Sequence, residues 1–507
     1  MVGELAYIVQ PDGYFVGGRF ANGQRIATEE KGTVPFFLPF LLLYWIDVAE
    51  LLNDVHSRLN ATLVHGVERP RDVDELVRVV RETSEPISIA GGRHAMGGQQ
   101  FGTNTLHLDT RSLNAVLAFD AIAGTIDVEA GIDWPTLIAA THRLQPGQVR
   151  WGINQKQTGA DDMTLAGSIS ANAHGRGLLM QPIVQDVEHL DVLLTSGEIV
   201  RCSRSENCEL FSLVVGGYGL FGIILRVRLR LAPRVKVRRL VDIIDLDDAA
   251  NAIYRRVESG CTFGDFQYSI DAQDTSFLRR GVFPCYHPVD DGVPIDEGAS
   301  DLKRDDWLKL IGLAYRDKRE AFARYSQYYL STHGRVYWSD TMQLSTYVPD
   351  YAQTIHDAPD AARPDESLMI GELYVPPNRL LAFMSAARRV LHDEGVEDIY
   401  GTIRAIQQDA VTFLPWARAN YACVIFNLRT LHTPQGIATT CNTFRRLNDA
   451  AIAEGGSFFL TYHRYATREQ IEACYPMFQR FLHLKRTYDP AFRIESDWYR
   501  HHREMLS

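Results

Sequence analysis

Gly91-Gly92-Arg93-His94-Ala95-Met96-Gly97-Gly98-Gln99 is the stretch on which the fold turns, because of what stands on either side of it. Upstream, residues 62–67 read as a strand and Asp72 as a helix cap. Residues 73–81 repeat apolar side chains near the helical period, and residues 87–90 read as a second strand. The loop therefore leaves a β-α-β unit. Downstream, residues 105–109 and 125–130 alternate as strands, and Asp133 caps a helix reaching about residue 144. The loop is not a G-x-G-x-x-G fingerprint, since its spacing differs and no helix follows it, and no G-x-x-x-x-G-K-[ST] loop exists.

Two more bare-backbone tracts follow: residues 164–177, TLAGSISANAHGRG, and residues 216–222, GGYGLFG. Between them lies a hairpin pattern, 187–195 and 198–202 around Ser196-Gly197, and residues 223–231 alternate as a strand. A chain stripped of side chains approaches a pyrophosphate or a flat ring closely, and glycine's positive φ lets N–H groups converge on an anion. Three such tracts in mixed α+β surroundings predict a long ligand laid across a loop-lined cleft. After Pro233 the composition shifts toward Lys, Arg, Asp and aromatic residues, and glycine loops vanish. The expected organisation is an extension over 1–56, a ligand-binding domain over 57–233, a substrate domain over 234–473, and a segment over 474–507 that returns to the first domain.

The chain has 507 residues and a formal charge of −11, with 46% hydrophobic and 23% charged side chains, which is ordinary globular composition. An acidic balance argues against nucleic acid as a partner. Seven cysteines are scattered without a C-x-x-C pair or a zinc-like cluster, so neither a disulfide framework nor a metal site is expected. The start lacks a basic region and a small-residue cleavage site, and a cytoplasmic location is expected. Residues 34–46, VPFFLPFLLLYWI, are apolar. As a helix they would reach about 20 Å against a hydrocarbon core of about 30 Å, so no transmembrane span is expected. They read as a buried segment, with membrane-surface docking or a subunit contact as the alternatives. Nothing reads out the oligomeric state.

Taken in order, PISIAGGRHAMGGQ (86–99), TLAGSISANAHGRG (164–177), VEHLDVLLTSGEIVRCS (187–203) and LFSLVVGGYGLFGIILRVRLRL (210–231) resemble the FAD domain of the vanillyl-alcohol oxidase/p-cresol methylhydroxylase (PCMH) superfamily. The resemblance implies an α+β fold: a two-subdomain PCMH-type FAD-binding domain plus an α+β cap. It implies that Gly91, Gly92, Arg93, His94, Ala95, Met96, Gly97, Gly98 and Gln99 wrap the FAD pyrophosphate. Arg93-His94-Ala95 is similar to the Arg-His-Ser of polyol oxidases and the Gly-His-Ser of cytokinin dehydrogenases, whose His is bonded to the flavin 8α carbon. FAD is thus expected to be attached through His94, the alternative being a His94 that only hydrogen-bonds near it; Ala95 departs from the usual Ser. The second tract would run beneath the isoalloxazine ring, offering Thr164, Gly167, Ser168, Ser170, Asn172, His174 and Gly175. Asp162 stands where doubly linked relatives carry Cys. Gly217, Gly222, Ile223 and Ile224 would close around the adenine side.

Residues 400–406 read as a strand with Tyr400, Thr402 and Arg404 on one face. This segment resembles the strand of aldonolactone and polyol oxidases that brings Glu-x-Arg to the flavin, with Arg404 matching the Arg and Thr402 in the acid's place. Arg404 would stabilise anionic reduced flavin, unless it is a structural, salt-bridged Arg. Residues 455–502 resemble the end of decaprenylphosphoryl-ribose oxidases and sugar-lactone oxidases, which places Tyr462 or His463 as the catalytic base. His is the better base near neutral pH. Glu372, Tyr374 and Thr402 are expected to line the substrate pocket. The implied function is an FAD-dependent oxidoreductase that oxidises a CH–OH group of a sugar, polyol, lactone or related alcohol. Hydride would pass to flavin N5, and O2 or another acceptor would reoxidise it. The rivals are a lipid-linked-sugar oxidase of epimerase type, a C=C reductase, and a non-catalytic flavin-binding protein.

Overall fold

The computed structural model describes residues 5–9, 15–21, 24–26, 49–295, 301–345, 348 and 365–507. Asp72 opens the helix Val73–Glu82 by accepting from the Glu75 backbone N–H at 2.8 Å, and the helix buries Val73, Leu76 and Val80 on one stripe. That stripe packs with Leu108 and Ile223 in one small core. The sheet here is parallel, ordered Gly66–Glu68, Leu106–Asp109, Ile87–Ala90. Parallel strands need a crossover, which the helix supplies, and Ile87–Ala90 then delivers the loop 91–99 from its end.

A second, antiparallel sheet runs in the order Ile199–Ser203, Val187–Leu193, Ile223–Pro233, Thr125–Glu129, Val116–Asp120, and Trp151–Ile153 pairs with Ile223–Pro233. The helix Trp134–Arg143, capped by Asp133, buries Trp134, Leu137 and Ile138. Two short helices were not legible from the pattern: Leu165–Ser170, inside the second glycine tract, and Cys208–Val214. The first has only Leu165 and Ile169 as apolar markers among Ala, Gly and Ser, too few to set a helical period against the surrounding glycine tract.

The strand Ile223–Pro233 ends where the composition shifts, and Lys236–Asp245 opens a different sheet with Arg280–Val289 and Val336–Trp338. A further sheet is ordered Asp398–Ile406, Tyr421–Leu431, Glu366–Val375, Ser457–Phe458. The two sheets are joined by reciprocal backbone bonds of 2.8 and 2.7 Å between Phe266 and Ile403. The helices Leu380–Glu394 and Pro434–Ala453 pack against each other beside the latter sheet. At the C-terminus Ile494 bridges to Ile87, and the helix Asp497–Met505 docks Trp498 on Tyr218, ring centres 4.7 Å apart. The architecture is α+β.

Residues 1–47 form a unit of their own, in which Leu5–Val9, Phe15–Ala21 and Gln24–Ile26 make an antiparallel sheet. No strand period was legible there, because Gly17-Gly18 erase the alternation of side chains. Residues 48–56 belong with the larger unit, earlier than the expected boundary at 56. The apolar run 34–46 lies outside the described residues. Among the described residues no helix is long and apolar enough to cross a membrane.

Candidate cofactor and substrate site

All three glycine tracts open onto one cavity of about 760 Å³. The loop after Ile87–Ala90 contributes Gly91, Gly92, Arg93, His94, Ala95 and Gln99; the second tract contributes Thr164, Gly167, Ser168 and Ser170; the third contributes Gly219, Gly222, Ile223 and Ile224. A Cβ at Gly91 would collide with the Thr164 side chain, so the first two loops meet only because position 91 is bare. Gly219 has φ +77° and open space where a Cβ would stand, which leaves its backbone accessible from the cavity. His94 sits in a short relay, with Nδ1 2.9 Å from His56 Nε2 and Nε2 3.1 Å from Asp162 Oδ1. The hydrogen bond with His94 holds the Asp162 carboxyl below its ordinary range, and burial pushes His56 down to about 3.

The cap closes the cavity with a polar network. Glu372, on Glu366–Val375, is 2% exposed. Its Oε1 accepts from Tyr462 OH at 2.7 Å, and its Oε2 accepts from Tyr374 OH at 2.8 Å and His174 Nε2–H at 3.0 Å. Burial opposes its charge, but the His174 imidazole and the donors prevail and hold the carboxyl down at about 2. His174, Glu372 and Cys423 bring ligand-type atoms within 4.8 Å of one another, yet both carboxylate oxygens are already taken by donors. Tyr462 is pushed well above its ordinary range by burial and by Glu372, so it stays a neutral phenol. Arg404, on Asp398–Ile406, donates from Nη2 to Thr158 Oγ1 at 2.7 Å, while its Nε and Nη1 are buried without a partner. Tyr400, Thr402 and Arg404 all line the cavity, as their shared strand face requires.

A family model described as an FAD binding domain matches residues 61–203. Cytokinin dehydrogenase 7 of Oryza sativa subsp. japonica is 32% identical over 187 residues, 34% of this chain and 33% of the relative. An uncharacterized oxidoreductase, ORF5 of the fasciation locus in Rhodococcoides fascians, is 30% identical over 188 residues, 36% of this chain and 40% of the relative. Cytokinin dehydrogenase 5 of Arabidopsis thaliana is 30% identical over 201 residues, 37% of this chain and 35% of the relative. Over this FAD domain the chain is placed in the vanillyl-alcohol oxidase/PCMH superfamily. The chain spans between 33% and 40% of the length of these curated relatives.

Membership in that superfamily makes FAD the cofactor, and the residues fit it. Along the cavity Arg93 Nε, Gln99 Oε1, Gln100 Oε1, Gln157 Oε1 and two nitrogens of Arg404 are buried with no protein partner. A polar ligand running the length of the three loops would satisfy such a series, and burial without one is costly. Not every residue expected at the cofactor reaches the cavity wall. Asn172 is 1% exposed, with Nδ2 donating to Asp409 Oδ2 at 2.9 Å and Oδ1 accepting from Val184 N–H at 3.2 Å; both ends are spent on the fold. Met96 is in the core, Gly97 donates its N–H to Thr461 O at 3.0 Å, and Gly98 lies over Asn60. Gly175 packs on Lys156 and Gly217 on Leu213. Asp162, His174 and Tyr374 stand behind the wall, touching it through His94 and Glu372.

His463 is the clear correction. Its ring lies 4.4 Å from that of Phe444 and 4.8 Å from that of Tyr465, away from the cavity, and burial drives its pKa down to about 3. It is a core side chain, whereas Tyr462 beside it faces the cavity. Gln100, Gln157, Thr158, Arg176, Arg239 and Asp265 also line the cavity and were not singled out from sequence. Only Arg176 carried a signal, its place inside the 164–177 tract.

Proposed function

We propose that the protein is an FAD-dependent oxidoreductase that oxidises a CH–OH group of a small molecule. The observation that carries this reading is the Tyr462–Glu372 pair, a phenol hydrogen-bonded at 2.7 Å to a buried carboxylate, both facing the cavity that the flavin loops line. When bound, FAD would supply the two-electron acceptor for the substrate hydride, with O2 or another acceptor as the final oxidant. The chain handles the proton. Tyr462 Oη accepts the substrate hydroxyl proton while its own proton moves to Glu372 Oε1, so no free phenolate is needed. The three donors on Glu372 fix its position in both states. Arg404, with two unspent N–H donors on the cavity wall, would stabilise negative charge on the cofactor. His94 would attach the cofactor through one ring nitrogen, which gives up its contact with His56 or Asp162 while the other contact orients the ring. Sugars, polyols and lactones are the first alcohols to try, on the resemblance of the 400–406 strand.

An amine donor is the second reading, favoured by the names of the relatives, cytokinin dehydrogenases. Arg404, Arg176 and Arg239 line the cavity without a carboxylate ion pair among the described residues, which disfavours a cationic amine there. The test is anaerobic bleaching of the visible flavin band by alcohols and by a cytokinin. Bleaching by an alcohol and its loss in Tyr462→Phe support the reading; bleaching by the cytokinin alone replaces it with amine oxidation. Acid precipitation that leaves flavin colour in the pellet, lost in His94→Ala, supports the covalent link.

A further inference from the structure

Where the second glycine tract ends, the cavity is lined by Arg176 and, from other elements, by Arg239 and Asp265 among tyrosine rings. Arg239, on Lys236–Asp245, is 8% exposed. It donates from Nε to Tyr286 OH at 3.1 Å, and its guanidinium carbon lies 4.4 Å from the Tyr337 ring centre, while Nη1 is buried with no partner. Arg176 donates from Nη2 to Met342 O at 3.2 Å, and its buried Nε has no partner. Both guanidiniums face the ring of Tyr286, at 5.9 and 5.3 Å. Neither makes an ion pair among the described residues. Asp265, 3% exposed, spends Oδ2 on Gln267 Nε2 at 3.0 Å and Thr402 Oγ1 at 3.2 Å, and leaves Oδ1 unpartnered.

Buried guanidiniums without counter-charge are costly, and the tyrosine rings offset only part of that. Asp301 also lines the cavity but pairs with Arg335 at 3.8 Å, so in this corner two cations against Asp265 leave an excess of one positive charge, which suits a monoanion. The adjoining wall is apolar, with Trp307, Leu310, Ile311, Phe322 and Ile370. We infer that Arg176 and Arg239 form a carboxylate-binding subsite, so that the substrate is an alcohol with an apolar or aromatic body and one carboxylate. The inference rests on the proposed alcohol oxidation for its reaction but not for its binding.

The experiment uses the full flavin-bound chain and reads equilibrium binding, by quenching of tryptophan fluorescence, of phenylacetate, phenylacetamide and phenyl phosphate. Charge-assisted bonds to two guanidiniums should make phenylacetate bind about tenfold or more tightly than its neutral amide. Phenyl phosphate, a dianion at neutral pH, should bind more weakly than phenylacetate. Arg176→Met and Arg239→Met should each erase most of the acid-over-amide preference, and Arg239→Lys should keep part of it. Equal binding of acid and amide by the native chain, which needs no variant to fold, overturns the subsite; so does a preference that survives both methionine variants. Tighter binding of phenyl phosphate overturns the monoanion assignment. Carboxylate preference in a protein whose flavin no alcohol bleaches keeps the subsite and sinks the reaction. Bleaching by alcohols without any acid preference does the reverse.

Discussion

Glu372 keeps its charge where burial alone would neutralise it, because three donors converge on two oxygens. Glu372→Gln would turn an NH2 group toward at least one of those donors. Turnover should fall about a hundredfold or more, as for loss of a general base, with the flavin-to-protein ratio unchanged. The same carboxyl has a pH signature. Its folded pKa of about 2 lies below the ordinary 4.5, so its contribution is complete above 4.5 and is lost as pH falls toward 2. The linkage amounts to about 3 kcal/mol, and urea midpoints between those limits should show a flatter acid limb in the Gln variant. His463 gives a separate acid effect. Held near 3 against an ordinary 6.5, it contributes fully above 6.5 and progressively less as pH falls to 3. His463→Phe, seated against Phe444 and Tyr465, should therefore gain about 2 kcal/mol of stability relative to the native chain on going from pH 7 to pH 5, with turnover intact. Lost turnover in a flavin-bearing His463→Phe would return this residue to the chemistry.

Elements bring such residues together, and here the strand Asp398–Ile406 and the glycine loops differ in how far they could be read ahead of the structure. Tyr400, Thr402 and Arg404 could be placed on one face because a period of two needs only local sequence. The loop 91–99 was legible for the same reason, lying at the end of a short βαβ pattern. The pairing of Arg176 with Arg239 was not, since two elements distant in the chain bring them to the same Tyr286 ring; Arg176 had only its place in the second tract to mark it, and Arg239 alone reads as an ordinary surface arginine. Nor did the residues distinguish Asn172, spent on Asp409, from its neighbours on the cavity wall. The contact between loops makes its own prediction. Gly91→Ala forces a methyl onto the Thr164 side chain, an overpacking that costs about 1–3 kcal/mol, enough to weaken FAD retention about tenfold. Thr164→Ala should restore part of that loss in the double variant, because it removes the colliding atoms. The measure, made in a His94→Ala background where no covalent bond holds the flavin, is visible flavin absorbance per protein after dialysis, and equal losses in single and double variants would refute the contact as the cause.

At the scale of the whole molecule, the C-terminal helix couples the cofactor cavity to the global core. Trp498 is 0% exposed; its ring lies 4.7 Å from Tyr218, which lines the cavity, and 4.2 Å from His502, and its Nε1 donates to Leu460 O at 3.3 Å. One side chain thus touches the third glycine loop, the segment that carries Tyr462, and the last helix. Nearby, Ile494 bridges to Ile87 at the start of the strand that delivers the loop 91–99. Trp498→Ala would leave a cavity at this junction and cost about 3–5 kcal/mol. Because the loss falls where the flavin loops are anchored, the variant, made in a His94→Ala background where no covalent bond holds the cofactor, should shed FAD at urea concentrations well below its own unfolding midpoint. Trp338→Ala in the same background supplies the contrast. Its ring carries Arg234 at 4.0 Å on the cap sheet, a cation–π contact worth about 0.5–2 kcal/mol, and it does not line the cavity. That variant should lower the midpoint modestly and keep its flavin until the chain unfolds. If both variants release FAD and unfold at a single shared midpoint, the C-terminal helix stabilises the molecule as a whole without acting on the cofactor loops.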